Sequence, residues 1–325
     1  MQLPSALLRS LAGLKGFDKE SFETVHSSEE QFTSIRLNPL KLAAIQNQKS
    51  KIPWTEYGYY LESRPYFTFD PLFHAGCYYV QEASSMFLEQ VLRQATDLSK
   101  RIRVLDLCAA PGGKSTHIQS LISAESLLVS NEVIRARAGI LIDNMVKWGS
   151  TNVVVTNNDP KDFARLPGYF DVIVVDAPCS GSGLFRRDPD AISEWSENNV
   201  SLCSQRQQRI LADVWPALKE NGILIYSTCS YSRQEDEDIV DWLKKEFSVA
   251  PFTLSCDPGW GIVVSEEGCR FWPDKVMGEG FFIASFQKKE GDVGVTPKIS
   301  GKPEPITSKE RTIINKWVKP DGLSF

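Results

Sequence analysis

Between residues 103 and 230 the chain alternates short apolar runs with amphipathic stretches. IRVLDLC, SLLVSNE, NVVVTNND, FDVIVVDAP and ILIYSTCS are each too short for a buried helix and are rich in β-branched residues, so they read as buried strands. PGGKSTHIQSLI, IRARAGILIDNMVKWG and SQRQQRILADVWPALKENG lie between them and read as helices, the second with Ile134, Ala138, Leu141, Ile142 and Met145 on one face and Gly149 as its stop, the third ended by Asn-Gly. This β/α alternation demands a mostly parallel sheet with helices on both faces. Ligands of such sheets bind at the carboxyl ends of the strands. The chemistry is therefore expected at the end of each run and just beyond it: LDLCAAPGGKS, SNE, NND, DAPCSGSG and STCS.

The rest of the chain is less regular. Residues 1–75 read as a small α+β unit, with helical pieces followed by TSIRLNPLK, a strand-like stretch carrying Arg36 and Lys41. GCYYVQEASSMFLEQVL reads as a turn and then a helix, EDEDIVDWLKKEF as a helix with acids in its first turn and lysines near its end, and GFFIASFQK as a last strand. We expect one domain over 76–290 and, over 291–325, a Gly/Pro/Ser-rich linker followed by the start of another structured piece of a longer protein. No run approaches the ~18 apolar residues of a membrane span, and the first residues lack a signal-peptide layout, which points to a cytoplasmic protein. The seven cysteines include no CxxC pair, so neither zinc nor any other metal is expected. The net charge of −5 is a poor global match to a nucleic-acid binder, so any RNA site must be a local basic patch.

Three cofactor classes compete for LDLCAAPGGKS. The dinucleotide pattern GxGxxG is absent, and the position five before Gly113, where a phosphate-binding loop needs glycine, is Cys108. S-adenosylmethionine fits better. Glu132 at the second strand end could accept both hydroxyls of its ribose, and Asp159 at the third could accept from its adenine amine. The plainer alternative is that both acids only cap helices. Cys179 and Cys229 sit in polar loops after the fourth and fifth strands, unlike Cys108, Cys203, Cys256 and Cys269, which are taken as small buried fillers. A thiolate suits one methylation in particular. Carbon-5 of cytosine is a poor nucleophile until a thiolate adds to carbon-6, and a free thiol is only about 3% ionised at neutral pH, so the site must favour the anion. Asp176 is placed to hold the ring-nitrogen proton, and Lys114 to arrange that carboxylate.

LDLCAAPGGKS, DAPCSGSG, STCSYSRQEDE and GEGFFIA, in this order over 180 residues, resemble the RNA 5-methylcytosine methyltransferases of the NSUN/RsmF group. The DNA cytosine methyltransferases share the chemistry but pair one Pro-Cys nucleophile with a Glu-Asn-Val motif that this chain lacks. The resemblance implies a Rossmann-like class I SAM-dependent methyltransferase fold: a mostly parallel seven-stranded sheet, last strand antiparallel, with a small RNA-facing N-terminal domain. It implies that Cys229 attacks the base and that Cys179 assists release of the methylated product. Cys108, Ala109, Ala110, Pro111, Gly112, Gly113 and Lys114 would wrap the methionine part of the cofactor. Glu132 would hold the ribose, Asp159 the adenine edge, Asp176 would sit between cofactor and base, and Arg137 matches a family arginine. The implied substrate is an unstacked base in RNA, small-subunit rRNA first and tRNA second, acted on by a monomer. A methyltransferase acting on DNA or protein, and an assembly factor with incidental catalysis, are the rival readings. Arg186 and Arg187, after DAPCSGSGLF, are either RNA contacts or a solvated pair.

Overall fold

The computed structural model describes residues 3–28, 30–41, 45, 47–291 and 305–317. Two sheets organise the main unit, which extends to Val295. The first is antiparallel. Strands β1 (Ser34–Leu37), β2 (Gln48–Lys51), β3 (Gly58–Leu61) and β4 (Tyr78–Val80) stand in the order β2-β3-β1-β4. It therefore runs past the expected boundary at residue 75, because Tyr78–Val80, read from sequence as a turn, pairs with β1.

The second sheet has nine strands: β5 (Arg103–Asp106), β6 (Leu127–Asn131), β7 (Val153–Thr156), β8 (Phe170–Asp176), β9 (Leu218–Thr228), β10 (Val249–Pro251), β11 (Val263–Val264), β12 (Cys269–Phe271) and β13 (Phe281–Lys288). The order is β11-β12-β13-β9-β8-β5-β6-β7, with β10 also on β13. Strands β5 to β9 are mutually parallel and β13 joins β9 antiparallel, as expected for the last strand. Nine strands stand where the resemblance implies seven; six are legible as apolar runs, and β10, β11 and β12, two or three residues long, are too short to show a period.

Between β5 and β8 the order reverses, which opens a crevice where the loops after these strands diverge. The helix Gly113–Leu121 follows β5 and presents its first turn there. The buried guanidinium of Arg36, on β1, fastens this helix: it donates to Thr116 Oγ1 at 2.6 Å and to the Gly113 carbonyl at 3.2 Å, and lies 4.6 Å over the Trp148 ring. Burial pulls its pKa down to about 9. Arg36 is thus a structural tie of the first sheet, not a surface cation. The helices Ser5–Leu11 and Lys19–Ser27 bury Leu7, Leu11 and Phe22 against Phe185, Tyr231 and Trp272. Phe185 and Tyr231 come just after the two cysteine loops, so the N-terminal helices brace both.

Local departures from expectation have simple causes. The helix Arg135–Trp148 ends at Gly149 in the left-handed region (φ 90°) as foreseen, but it buries Ala138, Leu141, Met145 and Trp148 while Ile134 and Ile142 lie exposed. The helix Glu197–Val214 stops well before Asn-Gly because Pro216 comes next, and Leu218 already belongs to β9, whose register shifts before Ile223. No helix among the described residues is long and apolar enough to cross a membrane. The expected linker lies largely outside the described residues. Within 305–317 a helix, Ser308–Ile314, begins with a capping box of Thr307 and Glu310.

Candidate active site

Parallel pairing of β5 to β9 brings all five strand-end loops to one edge. Asp176 closes β8 and Lys114 opens the helix after β5. Their side chains meet across the crevice, with Lys114 Nζ 2.8 Å from Asp176 Oδ2, and the Ser227 hydroxyl donates to Asp176 Oδ1 at 2.8 Å. Burial disfavours the charge on Lys114, but Asp176 and Asp106 outweigh it and hold the ammonium above its ordinary pKa.

Cys179 lies three residues after Asp176, and Cys229 lies just past the end of β9. Their sulfurs are 3.1 Å apart, unbonded and half-buried. The hydrogen bond with Cys229, and then burial, push the Cys179 thiol well above the usual range. Cys179 is therefore a protonated thiol at neutral pH. The two sulfurs are within hydrogen-bonding distance, and either can be the donor.

The thiol separation is held by a residue whose sequence context suggests only a helix-dipole role. Glu235 is fully buried, and its carboxylate accepts from the Ser180 N–H (2.7 Å), the Ser180 hydroxyl (2.6 Å) and the Ser230 hydroxyl (2.6 Å). Ser180 is next to Cys179 and Ser230 is next to Cys229, so one carboxylate clamps both loops. Burial raises the Glu235 pKa, against the pull of these donors. The neighbouring acids are also engaged: Asp236 accepts from the Thr228 hydroxyl and Glu237 takes a two-pronged contact from buried Arg270. The signal that could have found the clamp is RQEDE, an acid run too close to STCS to serve a helix dipole alone. Glycine closes the assembly. Gly183 N–H donates to the Cys229 carbonyl, the Gly183 carbonyl accepts from Gly280 N–H, and a Cβ on Gly183 would lie 2.5 Å from the Gly280 carbonyl oxygen.

Below the crevice, Cys108 to Gly113 form the loop after β5. Arg137 donates to the Ala110 carbonyl at 2.7 Å and lies 3.5 Å from Glu132, and Asn144 donates to the Pro111 carbonyl at 2.8 Å. The Ala110–Pro111 peptide is cis, and Gly112 has φ 114°. Asp106, beneath the loop, gives one oxygen to the Ser115 hydroxyl while the other is buried without a partner, and burial raises its pKa to about 7. Burial also raises the Cys108 thiol, in keeping with an inert filler. Asp159 accepts from Lys161 N–H and caps the next segment, whereas Glu132 accepts from Ile134 N–H in the turn before the helix Arg135–Trp148, which has no side-chain cap. The two arginines after DAPCSGSGLF separate. Arg186 is buried, donating to the Gly278 and Glu30 carbonyls, so it is neither an RNA contact nor solvated; Arg187 is exposed. No group of His, Cys, Asp and Glu among the described residues is arranged to hold a metal ion.

Known proteins resemble this chain in sequence and fold. The family model "16S rRNA methyltransferase RsmB/F" matches residues 94–287, and "N-terminal domain of 16S rRNA methyltransferase RsmF" matches residues 3–83. The chain is 35% identical to ribosomal RNA small subunit methyltransferase F of Pectobacterium atrosepticum, covering 90% of this chain and 64% of that protein. It is 34% identical to the protein of the same name from Shewanella piezotolerans, covering 84% and 61%. The chain thus spans somewhat less than two thirds of these relatives. Among solved structures, a methyltransferase homologue from Pyrococcus horikoshii superposes with a TM-score of 0.69 at 27% identity over 88% of this chain and 100% of that one. NSun6 of the same organism, solved with SFG, gives 0.75 at 18% over 88% and 98%, a likeness of fold.

Proposed function

The chain belongs to the 16S rRNA methyltransferase RsmB/F family, and from that premise we propose that it methylates carbon-5 of a cytosine in small-subunit rRNA, in the cytoplasm, with S-adenosylmethionine as cofactor. The observation that carries the reading is the pair of thiols 3.1 Å apart beside the Lys114–Asp176 ion pair.

The residues present fit the cofactor. A carboxylate ends β6 at Glu132 for a ribose diol, Asp159 lies beyond β7 for an adenine amine, and a glycine-containing loop overlies Asp106, whose second oxygen lacks a partner. Cys108 to Lys114, Glu132, Arg137, Asp159 and Asp176 would hold it, with Arg137 acting through the Ala110 carbonyl and Glu132. When bound, the sulfonium supplies an electrophilic methyl group.

The chain's own residues do the rest. Cys229, as thiolate, adds to carbon-6 of the base and makes carbon-5 nucleophilic. The Cys179 thiol stands 3.1 Å from the attacking sulfur, within hydrogen-bonding distance of it. Asp176, steadied by Lys114 and Ser227, holds the ring-nitrogen proton during addition. After methylation the carbon-5 proton passes to a solvent base, the electrons of that C–H bond restore the C5–C6 double bond, and the Cys229–carbon-6 bond breaks with its electron pair leaving on the sulfur as thiolate, a release that Cys179 assists. The domain division belongs to the same reading, its first boundary lying after β4 rather than at residue 75 and its second at residue 290, with the N-terminal part facing RNA.

The test is direct. The chain is incubated with methyl-labelled cofactor and, in parallel, small-subunit rRNA, tRNA and DNA, and 5-methylcytosine is mapped by bisulfite sequencing. Label in rRNA is expected. Label confined to tRNA overturns the substrate class, and label in none overturns the activity.

A further inference from the structure

The net charge of −5 leaves RNA binding to a local feature, and the surface around the first sheet supplies one. A cavity of about 250 Å³ lies between β4 and the helix Arg135–Trp148, lined by Phe67, Phe73, Tyr79, Lys147 and Arg64 among others. Its two cations rest on aromatic faces. Lys147 Nζ is 4.3 Å from the Phe73 centroid and Arg64 Cζ is 5.5 Å from that of Phe67. Neither cation has a carboxylate partner among the described residues. On either side of Phe67, Tyr66 and Phe69 are 85% and 83% exposed, with ring centroids 6.4 Å apart. Adjacent aromatic rings left in water at this level mark a binding surface.

The cavity continues toward the active site. A second opening shares Arg64 and Val80 with it and ends at Arg187, on the loop that carries Cys179. Two carboxylates line that end. Glu82 accepts from the Ser84, Ser85 and Glu279 N–H groups, and Glu279 is buried with its pKa raised to about 7. Exposed positive charge therefore lies at Arg64 and Arg187. At the other side Tyr79 reaches the loop before Lys114, lying 3.4 Å from where a Cβ on Gly113 would stand.

We propose that this groove, from Lys147 and Phe73 past Arg64 to Arg187, holds the unpaired RNA strand flanking the target nucleotide, with Tyr66 and Phe69 as stacking rings for its bases. The inference rests on the reading of RNA as substrate. Stacking rings interleaved with cations suit a single strand, because every base has a face and every linkage a charge.

The test uses a fluorescent, unstructured twelve-nucleotide RNA and the full chain, with binding followed by anisotropy at several salt concentrations. Tyr66→Ala/Phe69→Ala should bind roughly tenfold more weakly with an unchanged salt dependence. Arg64→Ala/Arg187→Ala should lower the slope of log K against log salt by about 1.4, two phosphate contacts' worth for a single strand. Lys100→Ala, on an exposed loop of the other sheet, is the control. Cofactor binding by calorimetry should match wild type in all variants. Binding within twofold of wild type for the aromatic variant, or an unchanged slope for the arginine variant, overturns the groove. The readout is independent of methylation: a chain that binds RNA with these dependences but methylates none keeps the groove and loses the proposed activity. One that methylates normally with unaltered variant binding does the reverse.

Discussion

The molecule brings two pairs of thiols together on one sheet, in very different surroundings. Cys179 and Cys229 have sulfurs 3.1 Å apart; those of Cys256 and Cys269 are 3.8 Å apart. In each pair one thiol is pushed up, Cys179 and Cys269, with the partner sulfur as the first cause. Proximity and one raised thiol are therefore not what distinguishes them. The surroundings are. Cys269 lies on β12 and packs with Phe271, Val276 and Ile283, whereas Cys179 stands on a glycine-containing loop and Cys229 on a serine-containing one, beside an ion pair and above a buried carboxylate clamp.

The largest test of this contrast exchanges the nucleophile. Cys229→Ala should lower methyl transfer to rRNA below about one part in a thousand, while Cys256→Ala keeps it within about twofold. Comparable losses in both would erase the distinction. Next comes the clamp. Glu235→Gln replaces an oxygen acceptor with a donor facing Ser180 and Ser230, and should slow transfer roughly 10- to 100-fold by loosening the thiol geometry. It should also slow bridging of Cys179 and Cys229 by an arsenoxide reagent. Wild-type bridging together with wild-type rate would show that Glu235 positions nothing.

Smaller effects separate the regions by pH. Asp106 has a folded pKa of about 7 against an ordinary 3.8, so it binds more protons in the folded state between these values. Its contribution is present below pH 4 and is lost as pH rises through 7, on the order of a few kcal/mol. Relative to Asp106→Asn, the wild type should lose melting temperature as pH rises from 4 to 8; a constant difference between the two would contradict the buried, partnerless oxygen. The smallest expected effect is on Cys269→Ser, which puts a hydroxyl into an apolar core. It should cost about 1–3 kcal/mol by denaturant titration and leave the rate per folded molecule unchanged.

Legibility in the sequence depends on whether a residue's partners are near it in the chain. Strand ends, the glycine loop and both thiol loops are written in contiguous residues, and the Lys114–Asp176 meeting is a consequence of two adjacent parallel strands. The roles of Glu235, Arg36 and Arg186 depend on partners tens of residues away, such as Ser180, Thr116 and Gly278. Nothing local distinguishes such an acid or arginine from a solvated one. Strands of two or three residues escape for the same reason, since their pairing, not their own pattern, defines them.

In the proposed reaction the two thiols beside Asp176 divide the work between attack and release. The most direct measurement is the covalent protein–RNA adduct retained on a denaturing gel after incubation with cofactor and rRNA. Cys179→Ala should accumulate it, because release stalls, and Cys229→Ala should form none. Adduct in Cys229→Ala and none in Cys179→Ala would reverse the roles and contradict the account.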